Sequence, residues 1–364
     1  MGMVSGVRGS RTLSPVATAA PRSLPHALVD CPMTIGHRVK NLYLRVLAGH
    51  LRRTLQRSWT PLTAPRHDFP RRKERPVVRI AAAQFSLDAV PEPSLWHKRL
   101  HAIFQSAAQA RADILVFPED MSLPLLGIIA RWLPRSPGPP DPSQTALALA
   151  TLAPIAYDHW QRVMQDMARH FAIITVAGSG LTVRHQRLVN QALIISDQGH
   201  IMAEQPKMHL FAFEQDWGVT AGSLVNQTAN SWSLYTVVCN DATYFETFRM
   251  LRHRGADLIA VPIADPEPQY SEHKARRGTW ARVQETPVCG IVGAGTGSLF
   301  GFTLSGKAGI YLPAALTPDH TGIVAESSSA YGEGIVMADV DLDALHEYQK
   351  SQPKLPKGPW QHPF

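Results

Sequence analysis

Apolar and polar positions along this chain fall into two alternating periods. Short, nearly continuous apolar runs are separated by longer stretches in which apolar residues return every three or four positions. These are the signatures of buried strands and amphipathic helices. The first run is Pro76 to Phe85, followed by a helical stretch from Leu95 to Ala112 through Leu100, Ile103, Phe104 and Ala107. Asp113 to Pro118 reads as a second strand, Ala146 to Phe171 as a second helix and Ala172 to Gly178 as a third strand. Asn190 to Ser196 and His200 to Glu204 form a hairpin pattern over Asp197-Gln198-Gly199. A strand over Leu234 to Val238 comes next, then a helix over 246–255 and a strand from Asp257 to Pro262. Helix and strand resume over 276–285 and 288–294. Strands and helices alternating in this way predict an α/β layered domain.

Ahead of that body the pattern differs. Residues 1–33 are rich in Ser, Pro, Ala and Arg without periodicity and are expected to be disordered. From 34 onward Ile35, Val39, Leu42, Val46, Leu47, Leu51 and Leu55 recur at helical spacing, interleaved with Arg38, Lys40, Arg45, Arg52, Arg53 and Arg57. Such a stripe can pack on the protein's own body or its dimer mate, the commoner use, or lie on an acidic partner or, as a weak contact, on an anionic membrane surface. Residues 60–76, with Pro61, Pro65 and Pro70 beside Arg71-Arg72-Lys73, read as a linker.

Charge sharpens this division. The net charge of +7 is an average over unequal parts, since residues 1–76 hold 14 Lys and Arg against 3 Asp and Glu. The remainder holds 22 against 26 and is mildly acidic, so the basic extension says nothing about the body's ligand. Few aromatics interleave with the arginines beyond Tyr43 and Trp59, so nucleic acid is not an expected partner. No apolar run approaches the roughly 20 residues needed to cross a bilayer. Three widely separated cysteines, Cys31, Cys239 and Cys289, have neither metal-ligand spacing nor an even count, which fits a reducing cytoplasm.

Three of the buried runs end on a group that can do chemistry. The 114–118 run leads into Glu119, the 200–206 strand into Lys207, and the 234–238 strand into Cys239. Each has an ordinary alternative: a cap, a solvated loop lysine, a space-filling thiol. Ligands of open α/β sheets collect at strand carboxyl ends, and there the three together would suffice for attack on a carbonyl. A carboxylate takes the thiol's proton, and an ammonium stands where an oxyanion develops.

Each residue also sits in a specific context: Phe117-Pro118-Glu119; Lys207-Met-His-Leu-Phe-Ala-Phe-Glu214 with Trp217-Gly218 and Gly222; and Cys239-Asn-Asp-Ala-Thr-Tyr-Phe-Glu246 with Phe248-Arg249 and Gly255-Ala256-Asp257. Arg282 and Glu285 follow. On these motifs the chain resembles the nitrilase, or carbon–nitrogen hydrolase, superfamily from about 77 to 345, leaving 346–364 as a tail. Asn240, Phe245 and Thr286 depart from the usual aromatic, proline and asparagine. The resemblance implies a four-layer α-β-β-α sandwich carrying the basic N-terminal helical extension, and a homodimer. It implies hydrolysis of small-molecule amides, with nitriles and N-carbamoyl compounds as alternatives, and neither metal nor organic cofactor. Glu119 would be the base, Cys239 the nucleophile, Lys207 the oxyanion ligand with the Asn240 N–H, and Glu214 the partner of Lys207. Met121, Tyr244 and Asp265, close to strand ends, are expected to line the pocket.

Two look-alike motifs and two rival readings stand beside this one. Gly301-Phe-Thr-Leu-Ser-Gly-Lys307-Ala308 nearly spells a phosphate loop, but alanine stands where a hydroxyl must bind magnesium. Gly293-Ala-Gly-Thr-Gly297 lacks the full dinucleotide fingerprint. His209, two residues past Lys207, is the candidate for a cysteine–histidine hydrolase, although a backbone-bonded structural role suits it better. A basic-tailed binding protein without catalysis is the remaining alternative.

Overall fold

In the computed structural model, which describes residues 37–62, 76–132, 142–225 and 232–352, alternate residues of the first strand face two different cores. This strand, β1 (Val77–Ser86), sends Val78, Ile80 and Ala82 to one side and Ala81, Ala83 and Phe85 to the other. Strand β2 (Ile114–Val116) does the same: Ile114 and Val116 join the first set, and Leu115 joins the second with Phe117 just beyond it. Side chains alternate across a strand, so a strand with apolar residues pointing both ways must be covered on both faces.

What covers them is a helix layer on one side and a second sheet on the other. Strands β3 (Ile174–Arg184), β4 (Arg187–Ile195) and β5 (Ile201–Pro206) extend the first sheet beyond β2. The second sheet is built from β6 (Leu234–Thr236), β7 (Leu258–Ile263), β8 (Cys289–Leu299), β10 (Gly309–Tyr311) and β11 (Ile323–Glu326). A short β9 (Phe302–Leu304) folds back on β8, and β12 (Gly334–Asp341) returns antiparallel to β1 as the far edge of the first sheet. Hydrogen bonding is continuous between the sheets where the carboxyl ends of β1 and β8 run in parallel, from Gln84–Ala294 to Ser86–Thr296.

Helices Pro93–Gln109 and Pro142–Phe171 cover the first sheet with Trp96, Leu100, Phe104, Trp160 and Val163. Helices Phe245–His253 and Thr279–Glu285 cover the second with Phe248, Leu251 and Val283. The protein is thus an α-β-β-α sandwich, as its resemblance implies.

The basic extension enters the same core. Helix His37–Ser58 buries Leu47, Leu51 and Leu55 against the Pro142–Phe171 helix, and Trp59 Nε1 donates to Asp166 Oδ2 at 2.8 Å. The 47–55 part of the apolar stripe is therefore used in packing within the chain, while Leu42 and Val46 are 60% and 59% exposed. Ile35, the predicted disorder over 1–33 and nearly all of the 60–76 linker lie outside the described residues.

Several elements escape the sequence reading. The β3–β4 hairpin turns over His185 and Gln186, both with positive φ, where no glycine or asparagine marks the turn. The 276–285 helix begins at Thr279, after a separate turn of helix Glu272–Ala275. The boundary at 345 falls inside the last helix of the described residues, Leu342–Ser351, whose Leu345 is fully buried and whose Gln349 bonds Arg252 and Asp257. The Gly301–Ala308 look-alike runs through β9 into buried chain and is followed by strand β10, so no helix receives a phosphate there.

Leu51 is fully buried and Leu42 exposed, so the seating of the N-terminal helix can be measured. Leu51→Ala is expected to lower stability by about 2–5 kcal/mol and Leu42→Ala by less than about 0.5 kcal/mol in chemical denaturation. Equal losses would mean that the helix is not docked through this face.

Candidate active site

Glu119 reaches its position through a turn that only small neighbours permit. The chain leaves β2 at Val116, and the Phe117 N–H donates to Val176 O at 2.9 Å. Its next carbonyls then press on two glycines. A Cβ at Gly293 would lie 2.5 Å from Phe117 O, and one at Gly178, whose φ is +85°, would lie 1.9 Å from Pro118 O. Glycine is required at both by contact, and at the second also by conformation. Asp120 follows at a φ of 62°, its N–H directed at Ser179 Oγ.

Lys207 follows directly on β5. Its N–H donates to Asn190 O on β4 and its O accepts from Gly222 N, both at 2.8 Å, so the hairpin aims the side chain inward. Glu214 sits in the short helix Ala212–Asp216, where its Oε2 accepts from the Phe211 N–H at 2.8 Å. Cys239 opens a 3₁₀ turn, Cys239–Thr243, after Val238, with φ at 46°. That left-handed conformation is uncommon for a side-chain-bearing residue and marks a constrained position.

These residues come together around one ammonium. Lys207 Nζ lies 2.8 Å from Glu119 Oε1 and 2.8 Å from Glu214 Oε2, and all three side chains are buried. Its charge also sits 4.9 Å from the Phe211 ring centroid. Asn190 Nδ2 donates to Glu119 Oε1 at 2.9 Å, and the Ala264 N–H, just past β7, donates to Glu119 Oε2 at 3.2 Å. Cys239 stands close enough for Glu119 and Lys207 both to act on the proton affinity of its thiol, and the residue remains partly accessible. Carboxylate, ammonium and thiol therefore meet at one rim, contributed by both sheets.

The electrostatics follow from burial and mutual charge. Burial raises the Glu119 pKa, and Glu214 adds to this, while the Lys207 charge opposes it. Burial alone would lower Lys207, but Glu119, Cys239 and Glu214 more than offset it, so the amine is held charged well above its usual range. Burial and the Glu119 charge push the Cys239 thiol well above its ordinary value, with Lys207 opposing and Asp265 reinforcing. The resting sulfur is thus protonated. Asp120 is likewise pushed up, by burial and by Glu119 and Glu214.

Two residues important to this arrangement were not singled out from the sequence. Asn190 bonds Glu119 through its side chain and Lys207 through its carbonyl, and its Oδ1 has no partner among the described residues. Asp241, fully buried, accepts at Oδ1 from the N–H groups of Met208 and His209 at 3.0 and 2.7 Å. Its Oδ2 accepts from the Val238 N–H at 3.0 Å. One carboxylate therefore ties the cysteine turn to the lysine loop. Its place two residues past a strand-ending cysteine was the available signal.

The remaining expected positions divide. Asp265 follows Ala264 and its charge is felt at the sulfur. Asn240, half-buried, follows the cysteine. Tyr244 is 43% exposed and stacks on the His209 ring with centroids 4.1 Å apart. Met121 is fully buried in the core beside Gly178, so it packs beneath the Glu119 turn instead of lining an open surface. His209 Nδ1 pairs with Asp241 Oδ1 at 3.0 Å, a carboxylate where a backbone partner was expected. Arg282 donates to Thr243 O at the end of the cysteine turn while pairing with Glu285. Among the described residues no cluster of three or more His, Cys, Asp or Glu could hold a metal, and no helix is long and apolar enough to cross a membrane.

A family model for carbon–nitrogen hydrolases matches residues 79–350. The chain is 23% identical over 280 residues to the probable hydrolase YhcX of Bacillus subtilis, covering 75% of this chain and 52% of that protein. It thus spans about half the length of this curated relative. Among solved structures it is similar to Nit3 of Saccharomyces cerevisiae, of branch 10 of the nitrilase superfamily, with a TM-score of 0.59 at 16% identity. That match covers 77% of this chain and 96% of Nit3. It is also similar to an amidase from Nesterenkonia sp. AN1, solved with the acetamide moiety of fluoroacetamide on its active-site cysteine. There the TM-score is 0.57 at 19% identity, covering 76% of this chain and 93% of the other.

The Asp241 clamp can be tested without any substrate. Asp241→Asn places an amide N–H₂ against buried N–H donors, and a loss of about 2–3 kcal/mol in chemical denaturation is expected. His209→Ala, which removes only a partly exposed partner, should cost less than about 1 kcal/mol. The reverse order would mean that the clamp does not hold the two loops.

Proposed function

We propose, because the chain belongs to the carbon–nitrogen hydrolase family of the nitrilase superfamily, that it hydrolyses small amides through a thioester on Cys239. The observation that carries this reading is the Glu119–Lys207–Glu214 line, with 2.8 Å at each ion pair, beside the partly accessible Cys239. A covalently modified active-site cysteine in the Nesterenkonia amidase supports the same role for a cysteine here.

The steps follow from where protons and charges stand. Glu119 accepts the Cys239 proton as sulfur attacks the amide carbon. Lys207 Nζ and the Asn240 N–H hold the developing oxyanion. Glu119 then returns its proton to the leaving amine, which departs and leaves an acyl thioester. Water enters, gives a proton to Glu119 and attacks the thioester, and Cys239 leaves as the thiol once the proton is returned. Glu214 fixes the ammonium from the opposite side throughout. Residues of both sheets are needed, so the chain is read as one catalytic unit, and the family resemblance implies a homodimer.

Release of ammonia or amine from a panel of ω-amides, carbamoyl compounds and nitriles, with intact-mass detection of the acyl-enzyme, tests the reading. Wild type should accumulate an acyl adduct on Cys239 with amides, and Cys239→Ala should form none and lose turnover by at least about a thousandfold. Undiminished turnover in Cys239→Ala would overturn the scheme.

The pH dependence has a definite sign. Glu119 acts as a base only when ionised, so kcat/KM falls as pH drops through its pKa, and burial sets that limb above the ordinary carboxylate range. The Asn190 N–H favours the ionised form. Asn190→Ala should therefore move the acid limb upward by about one pH unit. A limb that stays in place, or moves down, would remove Asn190 from control of the base.

A further inference from the structure

Asp265 directly follows Ala264, whose N–H donates to Glu119 Oε2. It stands between the reactive cluster and a separate group of charges on the loop after β7. Lys274 Nζ lies 3.0 Å from Asp265 Oδ1 and also bonds Glu267, so a single cation is shared by two carboxylates. The loop is pinned by its backbone: the Glu267 N–H donates to Asp265 O at 2.8 Å, and Ser305 donates to both Asp265 O and Glu267 O. Farther along, Arg276 and Lys307 share Glu272 and Glu326, two cations with two carboxylates, and that network is balanced. The rim beside Ala264 is not: it keeps one negative charge in excess. The base of the site repeats this imbalance, with Lys207 alone between Glu119 and Glu214.

We infer, resting on the reading of Cys239 as the nucleophile, that Asp265 makes this site select amides whose acyl chain carries a positive charge, an ammonium or a guanidinium. A carboxylate on the acyl chain would meet the excess charge at the rim and again at the base. A cation is attracted at both. The charge lies beside the reacting group, because Asp265 adjoins Ala264, whose N–H holds Glu119. The rim is also accessible: Asp265 and Lys274 retain 28% and 34% side-chain exposure. Even at about 12 Å and an effective dielectric constant near 20, a unit charge changes the local concentration of a monovalent group by roughly tenfold.

The thiol reports this selection independently of turnover. Full-length protein is treated with 2-aminoethyl methanethiosulfonate or 2-sulfonatoethyl methanethiosulfonate. In either reaction sulfur displaces methanesulfinate to form a mixed disulfide. Rates are read by mass on the Cys239 peptide and normalised to glutathione. The cation-to-anion ratio should exceed the glutathione reference by about tenfold. It should fall several-fold in Asp265→Asn and rise in Lys274→Met, two changes of opposite sign that a general loss of folding could not produce. A ratio at or below the reference, or one equal in wild type and Asp265→Asn, would overturn the inference.

In parallel, kcat/KM is compared for 4-aminobutanamide, pentanamide and glutaramate, which share chain length and differ in charge. The expected order is cation, neutral, anion. Hydrolysis with the anion preferred would remove the charge selection and leave the hydrolase. No hydrolysis of any amide, with the thiol ratio intact, would remove the hydrolase and leave the charge selection.

Discussion

The buried ammonium of Lys207, held between two buried carboxylates, is the constraint on which the rest of the site depends. Removing three charges from water costs several kcal/mol for each ion, and mutual attraction recovers this only when geometry and remaining hydrogen bonds are nearly complete. Here they are. Lys207 has a carboxylate at 2.8 Å on either side. Glu119 is completed by Asn190 and Ala264, and Glu214 by the Phe211 N–H. Loss of any donor would leave a buried charge short of a partner. The first sheet, the β4–β5 hairpin and the loop after β7 are thereby locked in one relative arrangement, which packing alone would hold less sharply.

That lock brings two sheets to one point. Glu119, Asn190 and Lys207 belong to the first sheet and its strand ends, while Cys239 and Ala264 belong to the second. The β1–β8 junction joins the sheets through the backbone, and Gly293 on β8 lets the Phe117 carbonyl approach closely enough for Glu119 to cross over. Asp241 closes the same gap from the other side, gathering N–H groups from 208, 209 and 238 onto a single carboxylate. The positive φ of Cys239 is tolerated because this surrounding structure over-determines it.

How much of this was legible in the sequence depends on the kind of signal. Runs such as Ile114–Val116 and Leu258–Ile263 declare buried strands because every position is apolar, and the reactive groups stand where those runs stop. The charged site residues were therefore readable from strand ends and motif spacing. Asn190 was not. It sits inside β4, where a buried amide has no periodic mark and its value lies wholly in a partner 71 residues away. The turn at His185-Gln186 was hidden because neither position is the glycine or asparagine that marks a two-residue hairpin turn. The His37–Ser58 helix was legible as amphipathic, but its seat on the Pro142–Phe171 helix depends on tertiary contacts that no local pattern encodes.

The raised pKa of Cys239 fits the proposed chemistry better than a low one would. In a cysteine–histidine pair a standing thiolate is stabilised by a neighbouring cation. Here burial and carboxylates disfavour such a thiolate, and His209 is turned to Asp241. In the proposed reaction the proton passes from sulfur to Glu119 as sulfur attacks, so one negative charge moves between two groups and no new charge is created in a buried site. Lys207, bonded to Glu119 and acting on the sulfur, favours the charge at either end of that transfer. The barrier then reflects the difference between two shifted proton affinities, both raised by the same burial, and the desolvation common to them largely cancels. A sulfur of high basicity, once deprotonated, is also the stronger nucleophile. Surroundings that would silence an isolated thiol thus serve one that shares its proton with a buried carboxylate.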